Sequence, residues 1–88
     1  MTVTASDIEA ALSAALHPQA LEVLDDSHLH AGHPGAREGR HFTVRMTSDR
    51  FAGLSRVARH RLIYHALQLL IPSGIHALAI EARAPGDS

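Results

Sequence analysis

The chain has 88 residues, 45% of them hydrophobic, no cysteine and a formal net charge of −1. This composition indicates one small domain over residues 1–88, with no disulfide and no thiolate ligand of its own. No apolar run approaches the ~20 residues that a membrane-spanning helix needs, and the N-terminus lacks the basic-then-apolar layout of a secretion signal, so we expect a cytoplasmic protein without a membrane segment.

The first predicted elements are a helix and a strand. Ser6 and Glu9 form the S-x-x-E pattern of a capping box, and apolar residues follow at i, i+3 and i+4 spacing. His17-Pro18 ends this pattern, because the residue before a proline avoids the helical region. We therefore predict a helix at about 6–16 and a short strand over 20–25.

A polar, glycine-containing segment runs from 26 to 40. A loop of that length inside a small domain is usually functional or mobile. It carries three of the chain's eight histidines: His28, His30 and His33.

A second strand is predicted over residues 41–47. Phe42, Val44 and Met46 alternate with Thr43 and Arg45, which is typical of a half-buried strand, and this strand is expected to run antiparallel to the first.

The next predicted elements are helical. An extra helical turn is expected near 51–54, where Phe51 and Leu54 would pin the following helix. That helix is predicted at roughly 56–70, with Ser55 as its cap and a broad apolar face.

The third strand begins at Gly74, after the breaker Pro72-Ser73. Since side chains on a strand alternate between its faces, regular alternation places His76 on the same face as Leu78 and Ile80. The sequence therefore predicts an imidazole in line with core residues at the start of a strand.

The resulting fold class is α+β. The order α-β-β-α-β predicts a two-layer domain in which helices cover one face of a three-stranded sheet. We expect the core to span about 6–83, with a flexible tail at 84–88. The edges of such a short sheet are open to a partner, which includes a weak homodimer.

Seven of the eight basic residues, all of them arginines, lie between 37 and 61. A solvated surface is the simplest interpretation of this stretch. Polyanion binding is the alternative, and it would use Arg56, Arg59 and Arg61 on the second helix.

Catalytic patterns are missing from the sequence. It contains no cysteine nucleophile, no G-x-S-x-G, no P-loop and no H-E-x-x-H, and its carboxylates are scattered in turns, so we do not expect an enzyme. His76 begins one strand, and His28, His30 and His33 lie in the loop leaving another. Imidazoles suit Zn, Cu, Ni or iron centres, but two are too few for a stable site, so further ligands must come from elsewhere.

Five stretches in order resemble the BolA family over roughly residues 6–83. They are Leu21-Glu-Val-Leu-Asp-Asp-Ser27, His41-Phe-Thr-Val44, Ser48-Asp-Arg-Phe-Ala-Gly53, Arg59-His-Arg-Leu-Ile-Tyr64 and Ile75-His-Ala-Leu-Ala-Ile80. The resemblance implies an α-β-β-α-β fold with a class II KH-like topology, in agreement with the order above.

The resemblance also implies a function. BolA-like proteins form heterodimers with monothiol glutaredoxins and share a [2Fe–2S] cluster in iron–sulfur trafficking and iron homeostasis. The glutaredoxin supplies a cysteine, its bound glutathione supplies a second thiolate, and the BolA-like chain supplies a C-terminal histidine, here His76. The second ligand comes from the loop after the first strand, where His30 is closest in position and His28 and His33 are alternatives.

Two other functions stay open at the level of sequence. Some BolA-like proteins are described as transcription regulators, so a KH-like fold and the basic segment are compatible with DNA binding. The histidine-rich loop could also bind Zn or Cu without a glutaredoxin.

Overall fold

The computed structural model describes residues 3–26 and 40–87. In chain order the elements are α1 (Ala5–Leu16), β1 (Ala20–Asp25), β2 (Arg40–Thr47), a 3₁₀ turn (Asp49–Phe51), α2 (Arg56–Ala66) and β3 (Ile75–Arg83). The α+β class and the α-β-β-α-β order are those predicted.

The sheet has the order β1-β2-β3. β1 pairs antiparallel with β2, as predicted, and β2 pairs parallel with β3. Phe42, Val44 and Met46 on the central strand are buried against the helices. The opposite face carries a charged row in which Arg45 contacts Glu22 at 3.4 Å and Glu81 at 3.2 Å.

The capping box of helix α1 lies two residues before the predicted one, and the helix begins at Ala5. Thr4 is the cap: its Oγ1 accepts from the Asp7 N–H at 3.2 Å, and the Asp7 carboxylate accepts from the Thr4 N–H at 2.9 Å. Val3 and Ile8 flank this cap and are both buried, the arrangement of a hydrophobic staple. The predicted type of cap is therefore present. The helix uses Thr4 instead of Ser6 because a cap at Thr4 allows Val3 to be buried beside Ile8. At the other end the helix stops at Leu16, as predicted. His17 (φ 44°), the residue before Pro18, lies outside the right-handed helical region.

The predicted helical turn near 51–54 lies at Asp49–Phe51. Ser48 caps it: the buried hydroxyl accepts from the Arg50 N–H at 3.1 Å and donates to the Leu16 carbonyl at 2.7 Å. This cap moves the turn toward the N-terminus by about two residues. Phe51 is fully buried in the core cluster that also contains Ile63 of α2, which agrees with its predicted anchoring of that helix, whereas Leu54 is only half-buried.

Helix α2 ends at Ala66 rather than near 70. Ser55 caps its start, accepting from the Ala58 N–H at 3.2 Å, as predicted. Beyond Leu67 the backbone bonds are mostly spaced by three residues, and the chain proceeds through turns to Gly74. The apolar pattern continues through these turns, but Pro72 lacks an N–H and disfavours helix in the residue before it.

The segment predicted as a flexible tail at 84–88 is attached to the fold as far as Asp87. Ala84 is buried, and its N–H donates to the Asp87 carboxylate at 2.9 Å. That carboxylate also accepts from Arg59 Nη1 at 2.6 Å. The Ala84 N–H and then the Arg59 guanidinium hold the pKa of Asp87 below its ordinary value of 3.8.

Candidate functional site

One end of the sheet gathers three points of the chain that are distant in sequence. β1 ends at Asp25, which pairs with Phe42 near the start of β2, and Arg40 at the start of β2 pairs with Ile75 at the start of β3. His28, His30 and His33 lie outside the described residues. Both ends of the segment that carries them nevertheless lie at the same end of the sheet as the backbone of His76.

His76 occupies an irregularity in strand pairing. Arg40 pairs with Ile75, but the next residue, His41, pairs with Ala77, so His76 is an extra residue on β3. Such a bulge bends a strand and changes where side chains point, and bulges are common beside functional sites. The side chain of His76 itself lies outside the described part of the structure.

The bulge changes what can be concluded from alternation. Ile75 is buried, and Leu78, three residues later, is partly buried against the core. In a regular strand two residues three apart lie on opposite faces. The prediction that His76 shares a face with Leu78 therefore rests on an alternation that this strand does not keep at its start.

Asp26 anchors the beginning of the histidine-rich segment. Its N–H donates to the His41 carbonyl at 2.8 Å, and its carboxylate accepts a hydrogen bond from the Thr43 hydroxyl. The sequence indicates only a turn carboxylate at Asp26 and does not predict this contact. Two features of the sequence could have indicated it. Asp26 directly follows the first predicted strand, and Thr43 lies on the predicted solvent face of the second.

An open concavity of about 410 Å³ lies beside this anchor, on the solvent face of the sheet. Asp26, His41, Thr43, Ala77 and Ala79 are among the residues that line it. Within residues 3–26 and 40–87, no group of three or more His, Asp or Glu side chains could hold a metal ion. The described part of the site therefore does not itself form a complete metal centre.

The three arginines predicted for polyanion binding differ in their surroundings. Arg59 is largely buried, with 15% of its side chain exposed. It donates to the Leu54 carbonyl at 3.0 Å and to the Ala82 carbonyl at 3.2 Å, and it pairs with Asp87. Arg56 and Arg61 are exposed. The structure therefore gives Arg59 a role inside the fold and leaves the other two on the surface.

This role leads to a stability prediction. Arg59→Ala should destabilise the protein by about 2 kcal/mol, since hydrogen bonds to charged groups contribute roughly 1.5–3 kcal/mol each and truncation also removes partly buried packing. Urea unfolding followed by circular dichroism measures the change. Arg61→Ala, two residues away and exposed, is the matched control and should stay within about 0.5 kcal/mol of the unmodified protein. Equal stability of the two variants would contradict the role assigned to Arg59.

Comparison with known proteins identifies one matching family and several similar proteins. The family described as BolA-like protein matches residues 12–87. An uncharacterized protein from a Sinorhizobium species is 48% identical over 83 residues, which cover 91% of this chain and 89% of that protein. A Vibrio cholerae protein named DNA-binding transcriptional regulator BolA is 44% identical over 73 residues, covering 83% of this chain and 67% of its own length.

Solved structures agree with this match. The BolA domain of SufE1 from Arabidopsis thaliana superposes with a TM-score of 0.85 at 45% identity, covering 100% of this chain and 99% of that domain.

Some relatives are much longer: the chain spans 58% of the cattle BolA-like protein 1 and 21% of the Arabidopsis SufE-like protein 1. None of the described helices is long and apolar enough to cross a membrane.

Proposed function

This chain belongs to the BolA-like protein family, and on that premise we propose that it is the histidine-donating partner of a monothiol glutaredoxin. The pair would hold one [2Fe–2S] cluster and act in iron–sulfur trafficking or iron homeostasis. In this proposal the chain is a binding partner and carries no enzymatic activity. We also infer a cytoplasmic location from the sequence, although an Arabidopsis relative is named as a chloroplast protein.

The observation that carries the proposal is the convergence at one end of the sheet. The β-bulge at His76 and both ends of the segment holding His28, His30 and His33 lie together there. This arrangement supports His76 as one ligand, with His30 as the expected second ligand and His28 or His33 as the alternatives. Asp26, bonded to β2, fixes where the segment begins.

The donor chemistry of the chain fits such a cluster. The chain has eight histidines and no cysteine, so any thiolate ligands must come from another molecule. The glutaredoxin cysteine and glutathione would supply them. Replacing thiolates by neutral imidazoles raises the reduction potential of a [2Fe–2S] centre, as in Rieske proteins. A cluster held in this way is suited to a carrier or sensor.

Anaerobic co-purification with a monothiol glutaredoxin and glutathione tests the proposal. We expect one coloured complex containing both proteins, with a visible circular dichroism spectrum different from that of the glutaredoxin's own cluster. Titration of Zn or Cu into the chain alone addresses the simpler metal-binding alternative. If the two proteins elute separately and the glutaredoxin spectrum is unchanged, the proposal fails.

DNA binding is the second candidate, and charge distribution favours it. No acidic residue occurs from 50 to 80, and Arg56 and Arg61 are exposed on α2. The Vibrio cholerae relative is named as a DNA-binding transcriptional regulator, which also supports this candidate. Binding through phosphate contacts would weaken steeply with salt, so an absence of duplex binding even at low salt would remove this candidate.

A further inference from the structure

The outer edge of β3 has backbone groups that no other described strand pairs with. In the described sheet β3 has one neighbour, β2. The Arg83 carbonyl accepts from the Ser48 N–H at 2.9 Å, so the backbone of Arg83 faces β2. Because these groups alternate along a strand, the backbone groups of Ala82, Ile80 and Leu78 face outward.

Arg59 limits how much of this edge is open. Its guanidinium donates to the outward carbonyl of Ala82 at 3.2 Å, and this blocks the C-terminal part of the edge. The outward groups of Leu78 and Ile80 lie beyond that block. Natural proteins protect exposed edges with charges, prolines or short strands. Residues 77–80 contain neither a charged residue nor a proline, and β3 is nine residues long.

The residues along this edge are complementary to themselves in one antiparallel register. If Ala79 faces Ala79 of a second copy, Leu78 lies opposite Ile80, and four backbone hydrogen bonds form between the outward groups. Two small exposed side chains then meet at the axis. The half-buried Leu78 and Ile80 side chains of each copy extend the core across the junction.

The charges of the two edge strands favour β3 over β1 for such pairing. Residues 20–26 contain Glu22, Asp25 and Asp26 and no basic residue, so two β1 edges would repel each other. Pairing of β1 with β3 would be head-to-tail and would bring the acidic β1 edge against Glu81 on the β3 edge without the two-fold symmetry of a closed dimer. The β3 edge combines neutral residues at 77–80 with Glu81 opposite Ala77, which places no like charges against each other.

We propose that two copies of this chain associate weakly through antiparallel pairing of residues 77–81 of β3, about a two-fold axis at Ala79. The dimer contains one continuous six-stranded sheet. Four backbone bonds and a few side chains bury less surface than a stable interface requires, so the association is weak and depends on concentration. It needs neither a cluster nor a glutaredoxin and is independent of the function proposed above.

Sedimentation equilibrium from about 10 µM to about 1 mM tests the proposal with variants at the axis. The unmodified chain should show reversible dimerisation. Ala79→Lys and Ala79→Glu each place like charges directly opposite one another and should each weaken association by up to about fivefold. An equimolar mixture of the two variants places opposite charges together and should restore association. Circular dichroism should show an unchanged fold, since Ala79 is exposed.

Ala77→Lys is the matched control. It alters the same exposed face of the same strand, but in the proposed register the new lysine faces Glu81 of the second copy, so association should persist or strengthen. A monomeric unmodified chain at 1 mM would overturn the proposal and leave the edge to some other partner. Dimers insensitive to Ala79→Lys, or lost with Ala77→Lys, would equally rule out this register.

Discussion

Replacing His76 with alanine is expected to make the shared cluster at least about tenfold more labile. Residues that only orient a metal ligand typically change metal affinity about 10–100-fold when they are mutated, so loss of a direct ligand should cost at least as much. The chain has no cysteine that could take over. The measurement is the rate at which visible absorbance is lost from the anaerobic complex with glutaredoxin, with and without a chelator.

Two further variants make this result specific. His76→Cys should retain a cluster with a shifted spectrum and a lower reduction potential, because a thiolate replaces an imidazole. His17→Asn removes an exposed histidine near the start of β1, at the opposite end of the sheet from the converging strand ends, and asparagine tolerates the left-handed backbone there, so the spectrum and the decay rate should be unchanged. A His76→Ala complex with the spectrum and lifetime of the unmodified complex would exclude His76 as a ligand.

The largest effect on stability is expected from Phe51→Ala. Phe51 lies in the 3₁₀ turn between β2 and α2 and is fully buried among core residues of both. Truncating a buried phenylalanine costs about 3–5 kcal/mol, a large part of the roughly 5–15 kcal/mol that stabilises a typical domain. For a chain of this size the midpoint of thermal unfolding should fall by at least about 12 °C.

Leu69→Ala is the control for this prediction. Its side chain is 81% exposed in the turns after α2, so truncation should change the free energy of unfolding by no more than about 0.5 kcal/mol. Thermal and urea unfolding of both variants provide the comparison. A Phe51→Ala protein as stable as the Leu69→Ala protein would mean that the turn does not anchor the core.

Local sequence patterns were sufficient wherever the deciding interactions lie close together in the chain. The alternation of Phe42, Val44 and Met46 predicts β2, because a strand with one buried face requires period two. Ser55 and Pro18 mark helix ends through interactions within a few residues. The same locality explains the small errors: Thr4 and Ser6 both have capping chemistry, and only the burial of Val3 distinguishes them.

The candidate site could not be predicted from local sequence patterns alone. Strand and loop positions indicated His76 and the loop histidines as candidates, the resemblance to BolA proteins gave them a role on a shared cluster, and these ligands stay predictions. Spacing along the chain gave no indication that an extra residue interrupts β3, because the bulge arises from its register with Arg40 and His41 on β2. Likewise the Asp26–Thr43 contact joins residues 17 positions apart.

By itself the sequence determined the element order, the buried face of β2 and the absence of thiolates, since these follow from periodicity, capping residues and composition. Only the tertiary structure decided which strand lies at the edge, where β3 bulges and which arginine is held inside the fold. Arg59 and Arg61 are two residues apart on one helix, yet the first bonds to Leu54, Ala82 and Asp87. Its environment is created by chain segments that meet it only when the protein folds, and no local pattern encodes those long-range contacts.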